Sequence, residues 1–119
     1  MSGRSRAIVV SLESALANGD PQPGNLAVPI FAHGSLEAEL YAPRGSDRQT
    51  PHSRDEIYVV ASGEGLFFDG NVRHAVQRGS FVFVSAGQEH RFEKFTSDFA
   101  VWVFFYGPEG GERDRVPSA

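Results

Sequence analysis

The sequence contains no cysteine. That absence excludes a disulfide framework and any thiolate-bound zinc. It leaves the redox compartment unmarked, and a reducing cytoplasm is compatible with it. Lysine is nearly absent: Lys94 stands alone, and the arginines are scattered rather than gathered. With a formal net charge of -4, no basic stripe forms, and a nucleic-acid surface is not expected. Long apolar runs are lacking too. Ala7-Ile8-Val9-Val10 follows the basic N-terminus but is too short for the apolar stretch of a signal peptide. No segment approaches the ~20 residues of a membrane span. The expectation is a cytoplasmic protein with neither a membrane nor a nucleic-acid partner.

What the chain does have suits one globular domain. It is 119 residues long and 40% hydrophobic, with 10 phenylalanines, enough to bury a core of its own. Ser11 to Asn18 reads as one short helix, Ser11 its N-cap and Leu12, Ala15 and Leu16 on one face. Gly19 to Gly24 ends it. The pattern then turns to β. Leu36, Ala38 and Leu40 alternate with Glu37, Glu39 and Tyr41, as in a strand with one buried face. Glu56 to Ser62, Leu66 to Phe68, Val72 to Gln77, Ser80 to Ser85 and His90 to Phe95 are further strands. Asp69-Gly70-Asn71 marks a hairpin. Phe99 to Tyr106 is almost wholly apolar, so it is expected to be covered on both faces, as at an edge buried in a homodimer. Short strands separated by regular turn signals predict an all-β sandwich or barrel. The organisation read from this is an N-terminal arm and helix over 1–33, a barrel over 34–107 and a flexible tail over 108–119.

Among the four histidines, His52 and His90 stand out. His52 and Glu56 are four apart, but Pro51 before and Ile57-Tyr58-Val59-Val60 after argue for a strand rather than a helix. On a strand, Glu56, Tyr58 and Val60 share a face, and Val60 marks that face as interior. A carboxylate pointing inward needs a cation or a histidine. Phe92 two residues on suggests that His90 also faces inward, while Phe95 argues for the other face. Asp55, opposite in phase to Glu56, is expected to meet solvent or an arginine. The charged stretch from Arg44 to Glu56 reads as a solvated rim. His74 reads as a surface strand residue and His33 as a loop residue.

These residues resemble two motifs of the cupin superfamily. His52, Glu56 and Gly63 fit the second half of its first motif, H-x3-E-x6-G. Gly79, Gly87 and His90 fit its second motif at full spacing, with Ser85 in the proline place and Lys94 in the asparagine place. The resemblance implies a cupin-like β-barrel, also called a double-stranded β-helix or jelly roll, with one short N-terminal helix. In that family two histidines, the glutamate and the later histidine hold one divalent metal ion. Carried over, His52, Glu56 and His90 are metal ligands, and Thr50 stands where the first histidine belongs. Three such ligands suit iron, and zinc, manganese or nickel as well. The alternative is a hydrogen-bonded cluster in a dry core without metal.

The functions this implies are two. One is a metal-dependent enzyme, an oxygenase, isomerase or lyase, acting on a small polar molecule, with Tyr58 as a catalytic acid or orienting group. The other is a non-catalytic small-molecule-binding or sensor module. A third reading is a purely structural or dimerisation barrel with no bound ligand, and the fold does not select among the three.

Overall fold

The computed structural model describes residues 5–17, 26–47 and 49–115. Its one helix among these, α1 (Leu12–Ala17), begins where the sequence places it. The Ser11 hydroxyl accepts from the Ser14 N–H at 3.0 Å, satisfying a donor that the first turn leaves free. Residues 5–10 before it are exposed and carry no regular structure.

Eight strands follow: β1 (Ala27–His33), β2 (Leu36–Tyr41), β3 (Asp55–Ser62), β4 (Glu64–Phe68), β5 (Arg73–Gln77), β6 (Phe81–Val84), β7 (Arg91–Glu93) and β8 (Ala100–Tyr106). They form a five-stranded sheet in the order β1-β2-β8-β3-β6 and a three-stranded sheet in the order β5-β4-β7. Every pairing is antiparallel. The two sheets face each other across one core, in which Tyr58, Val60, Val101 and Val103 of the first meet Phe67, Val76 and Phe92 of the second. Around Phe92 the rings of Tyr58, Phe67 and Phe99 stand edge to face, at centroid distances of 5.0 to 5.3 Å.

A second, smaller core lies on the outside of the larger sheet. There α1 places Ala15 against Val28, Leu40, Ala42 and Ala100. This explains two departures from the sequence reading. Strand β8 is apolar on both faces because it lies between β2 and β3, with the main core on one side and the α1 layer on the other. It is not an edge. In β2, Leu40 is buried, but under α1. The opposite face, with Glu39 and Tyr41, shares its row with Val103 and Val101 and so points into the barrel.

Two further expectations change. The sheet begins at Ala27 rather than Gly34, since β1 pairs with β2. Residues 107–112 are docked rather than frayed: Gly110 N–H donates to the Ser53 carbonyl at 2.7 Å, and Glu112 N–H to Asp55 Oδ2 at 2.7 Å. Phe81 and Phe83 lie on the outside of β6, 66% and 49% exposed, beside an open cleft of about 420 Å³ that they line with Phe67 and His74. The hairpin at Asp69 forms as read. Its carboxylate accepts from the N–H groups of Val72 and Asn71 and meets His74 Nε2 at 2.9 Å. The Val72 N–H first, then His74 and the Asn71 N–H, hold the Asp69 pKa down at about 2.

Candidate metal centre

The site is assembled by two loops tied to each other. The loop ahead of β3 carries His52, and the turn ahead of β7 leads into His90. Gly87 N–H donates to the His52 carbonyl at 2.7 Å, and Ala86 N–H donates to Asp55 Oδ1 at 2.9 Å. Asp55 is therefore buried by its backbone partners, 3% exposed, and does not meet solvent or an arginine. These ties set His90 across from β3, where Glu56 sits in one row with Phe105 and Val84.

His52, Glu56 and His90 come together, each offering a ligand atom within 4.8 Å of the others. His90 Nε2 lies 3.1 Å from Glu56 Oε1 and His52 Nε2 lies 4.0 Å from it. Separations of this order suit donors bonded to one ion at about 2.1 Å. The His90 and Glu56 side chains are 0% and 1% exposed, whereas His52 is 36% exposed and opens the cluster to the surface. The Phe105 ring stands edge-on to His52 at 5.0 Å and fixes the plane of the imidazole.

The protons of the cluster can be counted. His90 Nδ1 lies 2.8 Å from the Gln88 carbonyl, which only accepts, so Nδ1 carries a hydrogen. Neutral His90 then turns a lone pair inward from Nε2, the tautomer that a metal-binding histidine needs. The same Nε2 is 3.0 Å from the Tyr58 hydroxyl. That hydroxyl is itself 2.9 Å from Gln49 Oε1, and Gln49 Oε1 is 3.5 Å from His52 Nε2. A closed ring results: His52 Nε2, Gln49 Oε1, Tyr58 Oη, His90 Nε2 and Glu56 Oε1. With His90 neutral, Tyr58 is the one certain donor facing four acceptor-type atoms. In addition Glu56 Oε2 is buried without a hydrogen-bond partner among the described residues. So proton-poor a cluster calls for a cation or for extra protons.

The electrostatics show how protons would meet that need in the metal-free protein. Burial pushes the Tyr58 phenol well above its ordinary range, and the neighbouring Glu56 charge adds to this, so Tyr58 stays a donor. For His90, burial disfavours the imidazolium, but the Glu56 hydrogen bond, the Gln88 carbonyl and the charges of Glu56 and Asp47 outweigh it. The net shift is upward from 6.5. The donor set fits a divalent ion: two imidazoles, one carboxylate with a free oxygen and a second-layer carbonyl holding the right tautomer.

Thr50 does not join the ring. It is exposed, and the side chain that reaches the cluster from this loop is Gln49. Tyr58 is 0% exposed and sits behind the ligands rather than at the opening. Gln49 and the buried Asp47 escaped the sequence reading because they lie in the stretch taken as a charged rim. Beside His52 a cleft of about 300 Å³ is lined by Glu37, Glu39, His52, Ser53, Arg54 and Phe105. Burial and the adjacent Glu37 charge raise the Glu39 pKa, while His52 opposes them. A larger cleft of about 600 Å³, lined by Glu64, Gln77, Lys94 and Thr96 among others, lies at the other end of β4 and contains no histidine. His33 and His74 are exposed and stand apart from the cluster, His33 stacked on Phe31.

The cupin domain model matches residues 38–106, which include both loops and all the site residues. The chain belongs to the cupin family. An uncharacterized protein of Streptomyces coelicolor is 42% identical to this cupin over 85 residues, 71% of the chain and 73% of that protein. Among solved structures, an HTH_3 family transcriptional regulator from Vibrio cholerae superposes with a TM-score of 0.63 at 17% identity, over 72% of this chain and 52% of the regulator. The DMSP lyase DddQ from Ruegeria pomeroyi gives 0.61 at 24% identity, over 70% and 47%. The chain thus spans about half the length of those two proteins, and at these identities the likeness is one of fold.

Proposed function

We propose that this cupin binds one divalent metal ion through His52, Glu56 and His90 and acts on a small polar molecule. The observation that carries the reading is the proton-poor ring with the orphaned Glu56 Oε2 at its buried side. A bound divalent ion supplies Lewis acidity at a site where a small ligand can be polarised. The protein's own groups do the rest. His90 and Glu56, sealed from solvent, hold their donors in place, and Phe105 keeps His52 oriented. The Tyr58 hydroxyl keeps its proton and donates it within the ring, so Tyr58 positions the site's acceptors. The cleft at His52 admits a ligand of modest size; Glu37 is paired with Arg54 at 3.0 Å, and Glu39 favours a ligand that brings hydroxyl, amine or other donor groups. An oxygenase, isomerase or lyase reaction is the reading for an enzyme of this kind.

One observation favours a binding module instead: Tyr58, the only hydroxyl in the ring, is wholly buried, out of reach of a ligand in the cleft. Elemental analysis of purified wild-type protein and a Glu56→Ala variant, grown with iron, zinc and manganese, tests the metal. The expected result is substantial loading of the wild type and its loss in the variant. A wild-type load below about a tenth of an ion per chain rejects the reading, because a site of this type retains part of its metal.

A further inference from the structure

The loop ahead of β3 contains a second buried device that the three-residue ligand set does not use. Asp47 is 9% exposed and bound on several sides. The Tyr41 hydroxyl donates to its Oδ1 at 2.5 Å, and the Phe92 N–H donates to its Oδ2 at 2.8 Å. The rest of its capacity goes to Gln49: the Gln49 backbone N–H donates to Oδ1 at 3.2 Å, and the side-chain Nε2 donates to Oδ2 at 2.9 Å. A carboxylate only accepts. The amide of Gln49 must therefore turn its NH2 toward Asp47 and its oxygen the other way. That oxygen lies 3.5 Å from His52 Nε2 and 2.9 Å from the Tyr58 hydroxyl, on the ring of donors described above.

We infer that Gln49 supplies a fourth protein donor to the metal centre, a neutral amide oxygen whose direction Asp47 sets. The inference rests on the metal reading and deepens it. Thr50 points to solvent, so the residue before it, not the one in register with the family motif, faces the site. An amide oxygen has two lone pairs. One accepts from Tyr58 and the other is left for the ion. An amide oxygen is also a harder donor than the imidazole it replaces. Two imidazoles, a carboxylate and an amide oxygen move the preference toward manganese(II) and iron(II) and away from zinc(II).

The test titrates Mn(II) and, separately, Zn(II) into chelator-stripped wild type and into Gln49→Leu, Gln49→Asn and Gln49→His variants. Free Mn(II) is read by its electron paramagnetic resonance signal and Zn(II) by a competing chromophoric chelator. Thermal melting of each metal-free protein shows that it is folded. The Leu and Asn variants are expected to bind Mn(II) about tenfold or more weaker, with a smaller loss for Zn(II). The His variant is expected to shift the preference toward Zn(II). The Asn variant keeps the amide but shortens its reach, so it serves if the Leu variant does not fold. Mn(II) affinities within about twofold of wild type in the folded variants overturn the role of Gln49. A wild type that takes up neither ion removes the metal reading itself, and this inference with it, which separates the two failures.

Discussion

His90 is the residue whose ionisation joins stability to the proposed metal binding. Its pKa in the folded protein is raised above 6.5, because Glu56, the Gln88 carbonyl and Asp47 outweigh the cost of burial. A raised folded value means that the native state binds the proton more tightly than the unfolded chain does. The resulting stabilisation of the metal-free protein is fully present below 6.5 and is lost as the pH rises through the raised value. Under the proposed metal reading, uptake runs the other way, since the ion would have to displace that proton, and it is expected to strengthen with rising pH. Denaturant unfolding of metal-free wild type and His90→Gln, below pH 6.5 and again in the alkaline range, measures the first effect. The stability gap between the two proteins is expected to shrink at the higher pH, and a gap that widens contradicts the assignment.

At the scale of elements, the glycine shared with the first motif has a steric reason. Gly63 joins β3 to β4 with φ +76°, a region that side chains rarely adopt. A Cβ there would lie 2.5 Å from Thr96 Oγ1 and 2.8 Å from Phe99 Cα, the second being backbone that cannot swing aside. Gly63→Ala is expected to cost about 2 kcal/mol or more, combining left-handed strain with overlap, read as a lowered denaturation midpoint. The same scale shows where strand patterns inform and where they do not. Alternation in β2 correctly separated Leu40 from Glu39 and Tyr41, yet it could not say which side was the barrel, because α1 covers the other. Strand β1 left little signal, since Pro29 and the bulge between Pro29 and Phe31 break its period.

At the scale of the whole molecule, Asp55 acts as a clasp. It holds the Ala86 turn with one oxygen and the returning chain at Glu112 with the other, so β3, the His90 loop and the segment after β8 close on one carboxylate. Gly111 passes so near that a Cβ there would lie 2.8 Å from Asp55 Oδ1. Asp55→Ala is expected to destabilise the fold by about 1 to 3 kcal/mol, the cost of leaving buried donors unpaired. Amide hydrogen exchange should quicken at Ala86 and Glu112 ahead of the strands. Unchanged exchange at both amides would show that the clasp carries no weight. Among the described residues no helix is long and apolar enough to cross a membrane.

The order of residues alone determined the β pattern, the capped helix at Ser11 and the Asp69 hairpin, because these follow from local periodicity and turn chemistry; the grouping of His52, Glu56 and His90 came from the resemblance to the cupin motifs, since alternation left the face of His90 open. The tertiary structure decided the rest. Asp47 takes its partners from Tyr41 and from Phe92, 6 and 45 residues away, and Asp55 takes its own from 31 and 57 residues away. No local pattern marks a carboxylate whose donors arrive from so far along the chain. For the same reason only the folded loop could show that Gln49, and not Thr50, reaches the cluster of His52, Tyr58 and His90.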